Sequence, residues 1–349
     1  MQLETAYSYD DVLLIPQRSE IRSRSLVSLK TNLTKNFSLD IPIISSNMDS
    51  VTSPELAVAL GKLGGLGVLP RFNSIEEQIK NLLIVKKEGV KVGCSIGIKE
   101  GFEEKAQMLL NSGCDLLVID VAHGHMQQVL EVTSKIKNKF PNLPLVSGNV
   151  ATNEGAEDLF SAGADIVKVG IGPGSICTTR IQTGHGVPQI TALFNASVAS
   201  KKHNKTLIAD GGIKNSGDIV KALAAGSNVV MLGNILAGTS EAPGEIIEIN
   251  GKKYKKYFGS TSLEQKQKHL EMQKNDPNYL NHIEGVSGAV PLIGSLESLI
   301  QNLKAGISSG LSYSGAQNIS ELHKVAKFIH ITTGGLKESN FHNLEISKN

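Results

Sequence analysis

Cys177 is the residue best placed for chemistry. It lies in GIGPGSICTTRIQTGHGVPQ (170–189), bracketed by Gly170, Gly172, Gly174, Gly184 and Pro173 and flanked by Ser175, Thr178 and Thr179. A thiol on a glycine-rich loop, with Arg180 three positions on, suits nucleophilic attack, because nearby positive charge raises the thiolate fraction. Cys94 and Cys114 fall inside apolar runs and read as small buried hydrophobes. Two further glycine turns, DGGI (210–213) and LGNI (232–235), offer backbone N–H groups that can approach oxyanions closely. They point to a phosphorylated small molecule as ligand. His123 and His125 have no third His or Cys at zinc-like spacing, so a polar loop lining a pocket is the better reading.

These residues need elements to hold them. Eight short apolar runs recur, bounded by Gly, Asn, Asp or Pro: 41–48, 65–70, 90–97, 114–122, 144–151, 164–171, 206–213 and 228–235. Each is apolar continuously and not in alternation, the pattern of strands buried on both faces in a parallel sheet. Helical segments alternate with them at 53–63, 74–87, 101–112, 125–140, 153–162, 188–203 and 216–225, several opening on Ser, Pro, Asn or acidic residues. Eight strands alternating with helices predict a (β/α)8 barrel in preference to an open doubly wound sheet. An eighth helix is expected at 295–307. The segment between, 240–291, is expected to be a mobile active-site flap in a chain forming one barrel domain over 1–349. A barrel's site lies at the carboxyl ends of its strands, and those ends carry Ser46–Asp49, Arg71, Gly97, Asp120, Asn149, the Cys177 loop, Asp210 and Asn234. The loops after strands seven and eight are the usual phosphate site of such a barrel.

The composition narrows the partners. Lys and Arg total 35 against 33 Asp and Glu, for a formal charge of +2, which argues against nucleic-acid binding. At 40% hydrophobic and 19% charged the chain is globular, and no apolar run is long enough to span a membrane. The polar start and three cysteines lead to the expectation of a reducing, cytoplasmic home.

DDVLLIP (10–16), SNMDSV (46–51), DVAHGH (120–125), GNVAT (148–152), GIGPGSICTTR (170–180), ADGGI (209–213) and LAGTSEAPGE (236–245) resemble the IMP dehydrogenase / GMP reductase family nearly end to end. The resemblance implies a cysteine that attacks C2 of a purine nucleoside monophosphate and an adduct that exchanges hydride with a nicotinamide cofactor. It makes Cys177 the nucleophile, Thr179 its proton-relay partner and Glu284 the acid beside it. Ser46, Met48, Ser175, Asp210, Gly211, Gly212, Gly233, Asn234, Tyr257 and Gly259 match nucleotide positions, with Asp210 on the ribose. Asp120, Ala122, His123, Asn149 and Gly170 match the cofactor side. Backbone carbonyls of Gly172, Gly174 and Cys177 resemble a monovalent-cation (K+) site, completed by Glu338, Ser339 and Asn340 of a neighbouring subunit in a homotetramer. Two positions depart from the family: Asn234 stands where dehydrogenases usually carry Ser, and Ser260 where both branches usually carry Met.

The two branches of the family differ after the shared covalent step. The dehydrogenase hydrolyses a thioimidate with a flap Arg-Tyr pair; the reductase expels ammonia and uses a Thr–Glu pair. The only arginines here are Arg18, Arg22, Arg24, Arg71 and Arg180, so 240–291 holds none. Lys lacks the planar fork and is no equal substitute. On that count the expected activity is GMP reductase, the NADPH-dependent reductive deamination of GMP to IMP and ammonia. An NAD-dependent IMP dehydrogenase, which SEAPGE, DVAHGH and the tail 331–343 favour, is the alternative, and an inactive nucleotide-binding barrel comes after it.

Overall fold

The computed structural model describes residues 3–268, 280 and 283–340. Eight parallel strands form its central sheet: β1 (Ile43–Ser45), β2 (Gly67–Leu69), β3 (Val92–Ile96), β4 (Leu116–Asp120), β5 (Leu145–Val150), β6 (Ile166–Val169), β7 (Thr206–Asp210) and β8 (Val229–Leu232). Neighbours pair in sequence order, and β8 pairs with β1. The ring closes where Ser45 N–H donates to Leu66 C=O at 3.0 Å and Leu66 N–H to Ile43 C=O at 3.1 Å. The outer helices are α1 (Pro54–Lys62), α2 (Ile75–Lys87), α3 (Phe102–Asn111), α4 (Gln127–Lys139), α5 (Asn153–Ser161), α6 (Gln189–His203), α7 (Ser216–Ala224) and α8 (Leu296–Tyr313). The (β/α)8 barrel expected from the alternating runs is the fold observed. Local chemistry sets the helix starts. Ser53 accepts from Leu56 N–H with Pro54 at the first turn, and Ser74, Thr152, Asn215 and Ser295 cap their helices in the same way.

The strands are apolar throughout because both faces are buried. Ile44, Val68, Leu116, Val118, Val146, Ile166, Ile208, Val229 and Met231 form the barrel interior, while Ile43, Leu117, Ile119, Val167, Leu207 and Val230 pack outward in the cluster shared with the helices. An antiparallel hairpin, Thr31–Thr34 with Phe37–Leu39, adds Leu33, Phe37 and Leu39 to the interior cluster and plugs one end. Phe37 is 6% exposed there. Phe37→Ala is expected to lower unfolding free energy by about 3–5 kcal/mol in a urea titration, since a ring-sized void is left at the plug. The plugged end frees the carboxyl end of the strands for a site.

The described residues of the segment between β8 and α8, expected as a flap, form strands and a short helix. Strands β9 (Ile246–Ile249), β10 (Lys252–Phe258) and β11 (Ser287–Pro291) form an antiparallel sheet, and Leu263–Lys268 is helical. Asn250 and Gly251, at φ +52° and +72°, make the two-residue turn between β9 and β10. Residues 269–279, 281 and 282 of that segment lie outside the described residues, as do 341–343 of the tail. Two short strands, Val12–Leu14 and Phe328–His330, tie the chain's two ends together. Among the described residues no helix is long and apolar enough to cross a membrane.

Candidate active site

The loop after β6 carries Cys177, and the return limb of the inserted segment lies against it. Thr178 N–H donates to Glu284 C=O at 2.9 Å and Val286 N–H to Ile176 C=O at 3.0 Å, with Cys177 opposite Gly285. This two-bond ladder brings together residues more than a hundred positions apart. The Cys177 thiol donates to Thr179 Oγ1 at 3.2 Å, and Thr179 Oγ1 donates to Glu284 Oε2 at 2.7 Å. The three expected catalytic residues therefore form one hydrogen-bonded series, a path for a proton between sulfur and carboxylate. Arg180, expected beside the thiol, is spent elsewhere. Its guanidinium donates to Val187 C=O at 2.8 Å and Ile171 C=O at 3.4 Å and braces the loop over Gly172 and Gly186.

A cavity of about 330 Å³ opens beside this series. Ser46, Met48, Ser175, Asp210, Gly211, Gly212, Gly233, Asn234 and Tyr257 all line it. Gly211 and Gly212 have φ of +97° and +81°, a conformation that β-carbon-bearing residues rarely take, so the turn after β7 packs close on Pro173. Burial pushes the Tyr257 hydroxyl up from its ordinary value; a hydrogen bond with Ser175 works against this and the Asp210 charge adds to it. Gly259 does not line the cavity. It lies within the inserted segment, where its N–H donates to Val286 C=O at 3.2 Å. Tyr9 and Gln189, which motif matching passes over, also line the cavity. The Tyr9 hydroxyl is buried with no hydrogen-bond partner among the described residues.

On the other side of Cys177, a space of about 200 Å³ is lined by Asp120, Ala122, Asn149, Gly170, Gly172, Cys177 and Thr179, and shares Ser46, Met48 and Asp210 with the first cavity. A third space of about 440 Å³ continues from it past Arg71, Phe72, Ala122 and Ser260 to Lys99, Lys105 and Lys266. His123 is exposed and lines none of the three, while His125 Nε2 sits 2.8 Å from Asp158 Oδ2. Among the described residues no group of three or more His, Cys, Asp or Glu side chains could hold a metal. Lys168, unforeseen in the motifs, reaches up from β6 between Asp120 and Asp210. Burial raises the Asp120 carboxyl, but the Lys168 and Arg71 charges outweigh it and hold the group below the usual range.

The carbonyl-bearing loop at Gly172 and Gly174 turns tightly: Gly172 has φ +83°, and Cys177 N–H donates to Gly174 C=O at 3.1 Å. Two hydrogen bonds close the end of the described tail. Ser339 Oγ donates to Gly335 C=O at 3.0 Å and Asn340 Nδ2 to Leu336 C=O at 2.9 Å, at the end of the helix Thr333–Glu338.

Comparison with known proteins adds to this geometry. A family model described as "IMP dehydrogenase / GMP reductase domain" matches residues 6–342. An inosine-5'-monophosphate dehydrogenase of Borreliella burgdorferi is 42% identical, with 97% of each chain covered. Proteins of the same name from Cryptosporidium parvum and Aquifex aeolicus are 39% and 34% identical over 98% and 99% of this chain and 96% and 97% of theirs. With a barrel, a thiol loop and a matching sequence from end to end, the chain belongs to the IMP dehydrogenase / GMP reductase family.

Proposed function

We propose that the chain oxidises IMP to XMP with NAD. The carrying observation is the set of relatives whose names are those of IMP dehydrogenases; the Cys177–Thr179–Glu284 series between two connected cavities supports the covalent step that both branches share. The reductase expected from the arginine count gives way as the first reading. It stays as the second on two observations: no arginine follows Arg180, and Thr179 and Glu284 form the Thr–Glu pair that the resemblance gives to the reductase.

In this reading the first cavity takes the nucleotide. Gly211, Gly212, Gly233, Ser175 and Tyr257 meet the phosphate, and Asp210 accepts from both ribose hydroxyls. The cavities beyond Cys177 fit a dinucleotide, since they run continuously past Asp120 and Asn149 to basic Arg71, Lys99, Lys105 and Lys266, which suit a diphosphate. Bound there, NAD supplies the hydride acceptor. Cys177 Sγ adds to C2 of IMP and, once the C2 hydride has left, holds the purine as a thioimidate. Water then adds at C2, the C–S bond breaks, and XMP and the thiol are released. Thr179 passes the proton from that water to Glu284, a short path to a carboxylate in place of a flap arginine. The atoms balance as IMP, NAD+ and water going to XMP, NADH and a proton. IMP deuterated at C2 tests this: deuterium in the reduced dinucleotide and none in the product supports it, and deuterium retained in the purine refutes it.

The cation fits in part. Backbone carbonyls of a tight loop with glycines at 172 and 174 are the oxygen ligands a hard monovalent cation takes, and 338–340 of a second subunit would complete the shell. Truncation after Thr333 is expected to lower activity and potassium dependence together, read from initial rates across a potassium titration; an unchanged potassium response refutes the shared site.

A further inference from the structure

Lys168 lies in the middle of β6 and is 2% exposed. It points into the barrel because Ile166, two residues before, is an interior residue. The same alternation places Asp120 above Leu116 and Val118, and Asp210 above Ile208. Lys168 Nζ donates to Asp120 Oδ1 at 3.1 Å, to Asp210 Oδ2 at 2.7 Å and to Asn149 Oδ1. Asn149 Nδ2 also donates to Asp210 Oδ2, at 2.9 Å, which leaves Oδ1 for a ligand. The other groups around this centre are Arg71, 3.6 Å from Asp120 Oδ2; Asn47, bonded to Asp120; Tyr9 and Tyr257, both within the field of Asp210; and Cys177, which shares the cavity. One buried ammonium thus stands between a carboxylate on the nucleotide side and a carboxylate on the cofactor side.

We propose that Lys168 is a positioning residue that lets Asp120 and Asp210 carry charge at the same time, and so lets nucleotide and cofactor occupy the site together. The inference rests on the two-sided reading of the site given above. Once Lys168 is removed, Arg71 at 3.6 Å from Asp120 offsets only part of the repulsion, and the two carboxylates keep one proton between them. Nucleotide binding needs Asp210 as an acceptor, so the proton settles on Asp120. A dinucleotide that needs Asp120 as an acceptor then binds only by expelling that proton. Removing Lys168 turns two independent sites into antagonistic ones.

The test measures NAD binding by calorimetry with and without saturating IMP, in a Cys177→Ala background where no turnover interferes. With Lys168 present, IMP is expected not to weaken NAD. With Lys168→Met, IMP is expected to weaken NAD about tenfold near pH 7, with close to one additional proton released and the penalty fading toward about pH 9. The titration of the ligands' own phosphates is common to all variants and cancels. Lys168→Arg is expected to behave as Lys. Asp120→Asn added to Lys168→Met is expected to abolish the IMP-dependent penalty. If Lys168→Met does not fold, Lys168→Gln, a neutral donor, serves instead and is expected to show the same penalty. A Met or Gln variant that weakens NAD equally with and without IMP, at every pH and without proton release, overturns the proposal and makes Lys168 a filler of the barrel. If NAD fails to bind even with Lys168 in place, the reading of the cofactor side is what fails.

Discussion

Cys177→Ala is expected to reduce steady-state oxidation of IMP by at least about a thousandfold, because removing a nucleophile takes away the covalent path itself. IMP affinity, read by equilibrium titration, is expected to change by no more than about threefold, since the ribose and phosphate contacts lie on other strands. The two readouts separate the roles of the loop. Cys177 lines the space beside the nucleotide cavity and not the cavity itself, so its loss leaves Asp210, Gly212 and Gly233 in place. A variant that keeps a tenth of the wild-type rate would remove the covalent mechanism.

Glu284→Gln carries the second large effect. Its carboxylate is the far end of the series, 2.7 Å from Thr179 Oγ1. An amide can still accept that hydrogen bond but cannot take up a proton. Hydrolysis of the thioimidate is therefore expected to slow about 100- to 10,000-fold, the range for loss of a positioned acid–base group. Hydride transfer precedes that step and is expected to survive within a few-fold. Rapid-mixing absorbance at 340 nm then shows a burst of NADH stoichiometric with active sites, followed by a slow phase. With no arginine after Arg180, the wild-type enzyme is itself expected to show a burst, because hydrolysis leans on this one carboxylate. Burst and steady phase falling together in the variant would mean that Glu284 only pins the inserted segment to the Cys177 loop.

The barrel was legible because its strands are buried on both faces. ADIVKVGI and TLIADGGI have no polar face to expose, and parallel strands packed between an interior and a helix layer are what such runs become. The chemistry at the strand ends was legible for a related reason: a core needs no Asp, Asn or Cys there, so Asp120, Asn149, Cys177 and Asp210 stood out. The inserted segment was less so. Its Asn250-Gly251 turn between IIEI and KKYKKYF is a strong hairpin signal, but the flanking strands alternate poorly and read as a polar loop. Glu284 could be matched by motif, yet its distance to Thr179 depends on a ladder between 176–178 and 284–286 that no local pattern encodes. Lys168 has a signal in the sequence, though no motif contains it. A lysine inside a continuously apolar strand needs a buried anion, and counting by twos along β4 and β7 from Leu116 and Ile208 leads to Asp120 and Asp210. Gly259 and His123 match by position only; one is held within the inserted segment and the other is exposed. The tail residues 338–340 act, in the proposed site, on another subunit, which nothing within one chain specifies.

The reaction direction is tested most directly by paired absorbance measurements at 340 nm. IMP with NAD is expected to give a rise, and GMP with NADPH no change. A fall with GMP and NADPH, with no rise from IMP and NAD, would contradict the dehydrogenase and make the missing arginine the better guide to this chain's chemistry.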